Sequence, residues 1–286
     1  MPKRFSASRM LGAAFAVLFI ACAGNAGAVE APKRVVSLNV CTDQLAMLMA
    51  GEGQLLSVSH LATDPNSSVL AEQAKDYVIN HGLAEEIFLM HPDLVLAGTY
   101  TTRTTVGLLR RLGVRVEEFT SESSIEDIRA NVARMGEILG RQHRSQELIA
   151  EIDQGLADLA ANPPPRLAVA LYEPNGYTSG AGTLSDAIVR ASGLENVADR
   201  LGLVGTVHLP LELLVLAAPD LLLGNGDRHG APALAEQIFA HPAYRALLGP
   251  ARSVAVPGAY MICGAPFTLE VARRLQAAAR SQGEAE

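Results

Sequence analysis

The sequence predicts an α/β protein built from two doubly wound lobes that a long helix joins. Short apolar runs alternate with segments of helical spacing in each half of the chain, which is typical of parallel sheets covered by helices. Between the halves, residues 125–159 keep helical spacing almost throughout. We therefore expect an N-terminal lobe over residues 33–140, a connecting helix over 141–162 and a C-terminal lobe over 166–281.

The first 28 residues are predicted to be a cleavable signal peptide. Basic residues precede an apolar run that is too short to span a bilayer, and Ala26-Gly27-Ala28 supplies the A-x-A pattern of a cleavage site. Lipidation at Cys22 is an open alternative, although the leucine that usually lies three residues before such a cysteine is missing. We expect the mature chain to reach the periplasm.

The first half of the mature chain is predicted to alternate between strands and helices. Apolar and β-branched runs predict strands at residues 34–38, 55–59, 93–98 and 114–119. Apolar spacing predicts helices at residues 42–49, 83–90 and 104–112. His91-Pro92 ends the second of these helices and Gly113 ends the third.

The second half repeats this alternation. The central helical segment has a predicted break at residues 140–144, and the prolines that follow Asn162 end it. Strands are predicted at residues 166–172, 220–224 and 253–256. Helices are predicted at residues 184–192, 211–217, near 233–239 and 267–280.

One motif occurs in both halves. Glu85 and Glu212 each lie on a predicted helix, eight residues before the aspartate of a Pro-Asp pair that opens a buried strand. We therefore expect the two carboxylates to occupy equivalent surface positions on related lobes, with a cleft between the lobes.

Composition limits the partners. The 286 residues carry a net charge of -7 and no basic stripe with interleaved aromatic residues, which excludes nucleic acid as a partner. The apolar fraction of 49% is enough to fill two cores, and no later segment approaches eighteen consecutive apolar residues. We expect a water-soluble monomer that binds a small molecule or another protein.

Five segments follow each other in a recognisable order: RVVSL, the AEEI helix, HPDLVLAG, the long central helix and PDLLL. This order resembles the periplasmic iron-siderophore and cobalamin binding proteins of ABC importers over nearly the whole mature chain. The resemblance implies a class III periplasmic binding protein fold, a bulky metal chelate in the cleft and no intrinsic cofactor. It also implies that Glu85 and Glu212 dock the protein onto arginines of a membrane permease, which works with its ATPase.

Loops at the carboxyl ends of the strands are the expected ligand site, because open α/β sheets bind their ligands there. Arg103 is the main candidate, since a guanidinium among threonine hydroxyls suits an anionic chelate. Tyr100 and Tyr172 offer flat apolar faces with polar tips. The predicted ligand-binding residues are Asn39, Cys41, His60, Tyr100, Arg103, Tyr172 and Tyr260, and further contacts are expected from loops 173–182 and 225–229.

The identity of the chelate stays open between a siderophore, haem and cobalamin. The chain contains no tryptophan, which departs from what the family often uses for cobalamin and favours an iron chelate or haem. Cys41 and Cys263, the two cysteines beyond the signal peptide, either form a disulfide in an oxidising compartment or remain separate thiols.

Two other functions are weighed against the binding of a chelate. His60, His81 and His208 suggest a site for a free zinc or manganese ion, although no set of histidines and carboxylates has diagnostic spacing. Ser179 in a glycine-rich loop suggests a serine hydrolase, but no G-x-S-x-G motif is present. We therefore expect a binding protein and not an enzyme.

Overall fold

The computed structural model describes Met1 and residues 30–225, 234–247 and 253–283. The predicted signal peptide with Cys22 lies outside the described residues, as does the predicted ligand loop 225–229 after its first residue. Within the described ranges, no helix combines the length and the apolar composition that a membrane crossing requires.

Strands and helices follow each other through the described ranges of the chain. The strands are β1 (Val35–Ser37), β2 (Leu55–Ser59), β3 (Val78–Asn80), β4 (Leu94–Gly98), β5 (Val116–Phe119), β6 (Ala168–Leu171), β7 (Tyr177–Ser179), β8 (Glu195–Asn196), β9 (Thr206–His208), β10 (Leu221–Asn225) and β11 (Ser253–Val256). The helices are α1 (Val40–Met49), α2 (Ala71–Ala74), α3 (Ala84–Leu89), α4 (Arg103–Arg111), α5 (Ile125–Leu139), α6 (Gln142–Ala161), α7 (Leu184–Ala191), α8 (Val197–Arg200), α9 (Leu211–Ala217), α10 (Pro242–Leu247), α11 (Ala259–Ile262) and α12 (Leu269–Gly283). Short 3-10 helices lie at His60–Thr63, Pro174–Gly176, Leu234–Ala240 and Pro266–Thr268.

The first lobe is organised by a parallel sheet of strand order β3-β2-β1-β4-β5. Successive strand residues point to opposite faces, and here both faces are covered. Val35 and Leu94 pack into one apolar cluster, while Val36 and Val95 pack into another, and all four are 0% exposed. Burial on both faces explains why these strands are continuous apolar runs in the sequence.

The second lobe is organised by a parallel sheet of strand order β11-β10-β6-β8. A separate antiparallel pair, β7 and β9, lies at residues 177–179 and 206–208. The predicted α/β class with two parallel sheets is therefore confirmed. Both lobes belong to one compact unit that spans residues 31–286.

Two consecutive helices link the sheets. The Ser124 hydroxyl accepts a hydrogen bond from the Asp127 amide and begins α5, and Gly140, with a φ of 69°, ends it in the left-handed conformation that glycine adopts readily. Helix α6 then runs for 20 residues, or about 30 Å. The predicted break near Gly140 is present, and α6 covers almost the same residues as the predicted connecting helix.

The repeated motif has the same backbone structure in both lobes. Asp93 accepts hydrogen bonds from the amides of Lys33 and Arg34 and donates its own amide to the Arg34 carbonyl. Asp220 likewise accepts from the Ala168 amide and donates its amide to the Ala168 carbonyl. Each aspartate thus ties the start of one central strand to the start of its neighbour.

The turn before each of these aspartates repeats as well. His91 and Ala218 precede the two prolines and have left-handed φ values of 49° and 47°. The residue before a proline avoids the helical conformation, so the helix has to end at this point in both lobes. The repetition seen in the sequence is therefore a repetition of structure.

The structure differs from the predicted elements in several places, and the short elements α2, β8, α8, α10 and α11 were not predicted. Residues 234–240 form a 3-10 helix where an α-helix was predicted. Strand β3 and the pair of β7 with β9 were not predicted, because they are short and carry polar residues. The last helix begins at Leu269 and not at Phe267, since Pro266–Thr268 form a 3-10 turn before it.

Candidate ligand-binding cleft

A disulfide joins α1, which follows β1 of the first lobe, to the segment after β11 of the second lobe. Cys41 lies in the first turn of α1 and Cys263 directly follows α11, and their Cα atoms are 5.1 Å apart. The alternative of two separate thiols is therefore wrong in this structure. The bond joins residues 222 positions apart, so it couples the first lobe to the end of the second.

Close packing at Gly264 reinforces this junction. Its amide donates to Glu122 of the first lobe at 3.4 Å, and Glu122 also accepts from Asn131 at 2.6 Å. A Cβ atom at position 264 would lie 2.5 Å from Cγ1 of Ile128. Only glycine lets the two lobes approach this closely without a shift.

A small pocket of about 40 Å³ lies beside the disulfide. Three predicted ligand residues line it together: Asn39, Cys41 and Tyr100. Glu122 also lines it, and the prediction missed this residue although it follows the carboxyl end of β5 like the others. The pocket has room for water but not for a chelate, so a bulky ligand has to lie above it.

Tyr100 and Arg103 lie at the rim of the first lobe with free side chains. Tyr100 is 88% exposed, and Arg103 is exposed as the first residue of α4. In the part of the chain that the structure describes, no hydrogen bond or ion pair holds the Arg103 guanidinium. Both groups are thus available to a ligand.

Asn39 has a structural role that supports this rim. Its side chain begins α1 by accepting a hydrogen bond from the Cys41 amide at 3.0 Å. One turn further, Asp43 is fully buried and accepts hydrogen bonds from the amide and hydroxyl of Ser59. Burial raises the pKa of Asp43 to about 6, although hydrogen bonds from Ser37 and Ser59 oppose the rise. The sequence analysis did not identify this carboxylate.

His60 and His81 come together at the carboxyl ends of β2 and β3. Their rings are stacked with centroids 5.7 Å apart. Glu86 accepts a hydrogen bond from the His81 amide at 2.8 Å, and its other oxygen lies 3.4 Å from Nδ1 of His81. His208, the third predicted metal ligand, packs instead against Tyr177. Among the described residues, no group of three or more potential ligands is placed to hold a metal ion.

Tyr172 is a core residue, so it has almost no exposed surface for the predicted ligand contact. The side chain is 2% exposed, its ring stacks on Tyr244, and its hydroxyl donates to the Leu209 carbonyl at 3.2 Å. Burial, and to a lesser degree the charge of Glu212, raises the pKa of Tyr172. Both faces of the sheet are covered at β6, so side chains along this run do not face a ligand.

Tyr260 and Glu173 of the second lobe follow the carboxyl ends of β11 and β6. Tyr260 lies on α11, packs edge-on against Phe267 and has the Arg274 guanidinium 5.8 Å from its ring centre. Glu173 follows β6 in the predicted loop 173–182, and partial burial raises the pKa of its carboxyl. Ser179 of the same region is part of β7, which pairs with β9.

Glu85 and Glu212 occupy matching positions in the first turns of α3 and α9, and both are exposed. Within the described residues neither carboxylate makes an ion pair. The neighbouring Glu86 is occupied by His81. This difference agrees with the sequence spacing, which selected Glu85 and not Glu86 as the counterpart of Glu212.

The chain is similar to known binding proteins over most of its described length. A "Cobalamin-binding protein" of Halobacterium salinarum is 28% identical over 216 residues, which are 71% of this chain and 57% of that protein. The chain thus spans little more than half the length of this curated relative.

Solved structures with the same fold include a possible iron-binding (periplasmic solute-binding) protein from Staphylococcus epidermidis, with a TM-score of 0.71 and 18% identity. That match covers 87% of this chain and 99% of the other. A periplasmic haem-binding protein from a Roseiflexus species has a TM-score of 0.67, 23% identity and coverage of 87% and 98%. The vitamin B12 binding protein of Vibrio cholerae has a TM-score of 0.65, 18% identity and coverage of 88% and 98%.

At this level of identity the solved structures establish the fold, and the family follows from the sequence itself. Residues 35–251 match the family described as periplasmic binding protein, and this range includes most of both lobes. The chain belongs to the periplasmic binding protein family.

Proposed function

We propose that this protein is the solute-binding component of an ABC importer, exported to the periplasm by a cleaved signal peptide. It captures a metal chelate between an N-terminal lobe (residues 33–140) and a C-terminal lobe (166–281), which the helix of residues 141–162 connects. It then delivers the ligand to a membrane permease that an ATPase drives. Catalysis has no part in this role.

One observation carries the proposal. A disulfide joins segments that follow strands of the two parallel sheets, and the first lobe carries a free guanidinium at Arg103 and an exposed Tyr100 after β4. An open α/β sheet binds its ligand at the carboxyl ends of its strands. A guanidinium recognises carboxylate or phosphate oxygens through paired hydrogen bonds, and a tyrosine ring stacks on a flat ligand. Together these groups fit a large anionic chelate.

The names of similar proteins narrow the class of ligand. They include binders of cobalamin, haem and an iron-hydroxamate. All three are bulky metal chelates that would rest on the rim and not enter the 40 Å³ pocket below it. The lack of tryptophan favours an iron chelate or haem over cobalamin.

The test of capture is native mass spectrometry with an absorption spectrum on mature protein purified from the periplasm of its own host. We expect added mass together with visible colour. Arg103→Ala should lose the ligand, whereas Arg111→Ala, an exposed arginine at the other end of the same helix, should retain it. A colourless, ligand-free protein that also fails to bind haem, a ferric hydroxamate and cobalamin in titrations would contradict the proposal.

Delivery depends on Glu85 and Glu212. Two exposed carboxylates on equivalent helices can each meet an arginine of a two-fold partner, which fixes the orientation of docking and speeds encounter. The double variant Glu85→Gln with Glu212→Gln should bind the chelate normally and abolish uptake. The matched control is Glu52→Gln with Glu137→Gln, which removes two exposed carboxylates elsewhere. Equal uptake by both double variants would refute the docking assignment.

A second candidate function is the binding of a free transition-metal ion. The stacked contact of His60 with His81 supports it, because imidazole is a common ligand for such ions. Metal analysis of the purified protein decides between the two. One zinc or manganese ion per chain that is lost in His60→Ala, with no organic chelate present, would replace the first proposal by this one.

A further inference from the structure

The helices α3 and α9 each carry a pair of exposed apolar side chains beside their glutamate. On α3 the pair is Phe88 and Leu89, which are 38% and 73% exposed. On α9 the pair is Val215 and Leu216, which are 37% and 79% exposed. In both lobes the pair lies three and four residues after the glutamate, so it shares a side of the helix with the carboxylate.

The match extends to the buried positions of the motif, although the residue after the glutamate differs, being Glu86 on α3 and the exposed Leu213 on α9. Ala84 and Leu211 before the glutamates are buried, and so are Ile87 and Leu214 between the glutamates and the apolar pairs. At the C-terminal end of each helix, an arginine also donates to a main-chain carbonyl. Arg34 donates to the carbonyls of Met90 and His91, which directly follow α3, and Arg200 donates to the Ala217 carbonyl at the end of α9.

In the described part of the chain, neither of these arginines forms an ion pair with the glutamate of its surface. Arg34 and Arg200 are bound to main-chain carbonyls, whereas Glu85 and Glu212 have no ion-pair partner within the described ranges. A second copy of this acidic chain would oppose carboxylate to carboxylate, and an anionic lipid surface would repel them. The partner that fits is a protein with a basic side chain next to an apolar socket.

We propose that Phe88 with Leu89, and Val215 with Leu216, are apolar anchors that enter two related sockets on the two halves of the permease. This inference rests on the proposed function and names the part of the interface that supplies affinity. The glutamates set the orientation of docking, while the apolar pairs leave water on contact. Repetition on both lobes implies a partner with two equivalent halves.

Photo-crosslinking in the living host tests the contact directly. A photoreactive phenylalanine derivative replaces Leu89 or Leu216 in the full chain, with the same replacement at Leu112 and Val204, which are 46% and 71% exposed elsewhere, as controls. We expect adducts with an ABC permease subunit from positions 89 and 216 and none from 112 and 204. Replacements at positions 85 and 212 test docking itself.

The outcomes separate this inference from the proposed function. Permease adducts from positions 85 and 212 without any from 89 and 216 overturn the apolar anchors and leave the importer role intact. Adducts between two copies of this chain from 89 and 216 also overturn them. The absence of permease adducts from all four positions refutes the docking proposal together with this inference.

Affinity provides a second measurement. Leu89→Gln with Leu216→Gln should weaken binding of fluorescently labelled protein to host spheroplasts by about tenfold for each leucine lost. Leu112→Gln with Val204→Gln should bind as the parent does. Circular dichroism and thermal unfolding confirm that both double variants fold. Unchanged binding of the first double variant would overturn the inference.

Discussion

Replacement of Asp43 by asparagine should change how the unfolding free energy depends on pH. Asp43 is 0% exposed, and its Oδ2 accepts two hydrogen bonds from Ser59. Its Oδ1 has no hydrogen-bond partner among the described residues. A buried carboxylate with an unpaired oxygen is costly to ionise, which explains why its pKa rises from 3.8 to about 6.

The sign and size of the effect follow from linkage. The folded state holds this proton more tightly than the unfolded chain, so ionised Asp43 destabilises the fold above pH 6. A shift of roughly 2 pKa units corresponds to about 3 kcal/mol at neutral pH. The cost shrinks as the pH falls through 6 and disappears below 3.8. When the pH is lowered from 7.5 to 5, protonation of Asp43 should thus raise the unfolding free energy by about 1.5 kcal/mol.

The assay is urea unfolding at several pH values from 5 to 7.5, on the parent, Asp43→Asn and Asp76→Asn. The amide introduced by Asp43→Asn keeps an acceptor for Ser59 but carries no charge, so the variant should be more stable than the parent at pH 7.5 and its stability should depend less on pH. Asp76 is exposed and serves as the control. Parallel curves for the parent and Asp43→Asn would show that Asp43 titrates normally and would refute the reasoning.

Four further predictions concern the cleft. Cys41→Ser with Cys263→Ser should lower the unfolding free energy by about 5 kcal/mol, measured in urea without reductant, because the disulfide joins residues 222 positions apart; reduction of the parent should give the same loss, and no loss would contradict a formed bond. Gly264→Ala should cost about 2 kcal/mol, since its Cβ would meet Ile128, and a Gly264→Ala protein as stable as the parent would show that the lobes yield there. Arg103→Ala should weaken binding of the identified chelate about tenfold in a titration, whereas Arg111→Ala should not. Tyr172→Phe should lose about 1 kcal/mol of stability with the bond to Leu209 and leave chelate affinity unchanged, while Tyr100→Ala should leave stability unchanged and lower affinity.

Elements buried on both faces were the easiest to predict from the sequence. Strand β2 has the predicted bounds, because its largely apolar run is as long as the strand itself. Strand β11 also has the predicted bounds, although Ser253 and Ala255 are exposed at this sheet edge. Helix ends were also clear where a glycine or a proline stops the chain, as at Gly140 and Pro92. Strand β3 gave no such signal, since it lies at the sheet edge and Val78 is 50% exposed.

The candidate site was predictable within one lobe and not across both. The rule that ligands bind at the carboxyl ends of strands indicated Asn39, Tyr100 and Arg103 from local spacing alone. The pairing of Cys41 with Cys263 and the contact of Glu122 with Gly264 join distant parts of the chain. Local patterns contain no information on which distant residues meet.

The sequence-based assignment of Tyr172 as a ligand contact has a different weakness. It directly follows β6, and Leu171 and Tyr172 point to opposite faces of the sheet, where each joins a separate apolar cluster. Strands of parallel sheets are covered on both faces. A tyrosine at the end of an apolar strand should therefore be assigned to the core before it is assigned to a ligand site. The polar tip that suggested a ligand contact donates instead to the Leu209 carbonyl inside the lobe.

The junction between the lobes limits how the cleft can close. One apolar cluster includes Leu45 of α1, Leu148 of α6 and Leu171 of β6, so the two lobes share a continuous core. Wide separation would expose that core and is also opposed by the disulfide. Rim side chains are free of both constraints, and Tyr100 and Arg103 can reorient without any cost in buried area. We therefore expect the ligand to be held by movement of these side chains and a small change in lobe angle, and not by a large hinge motion.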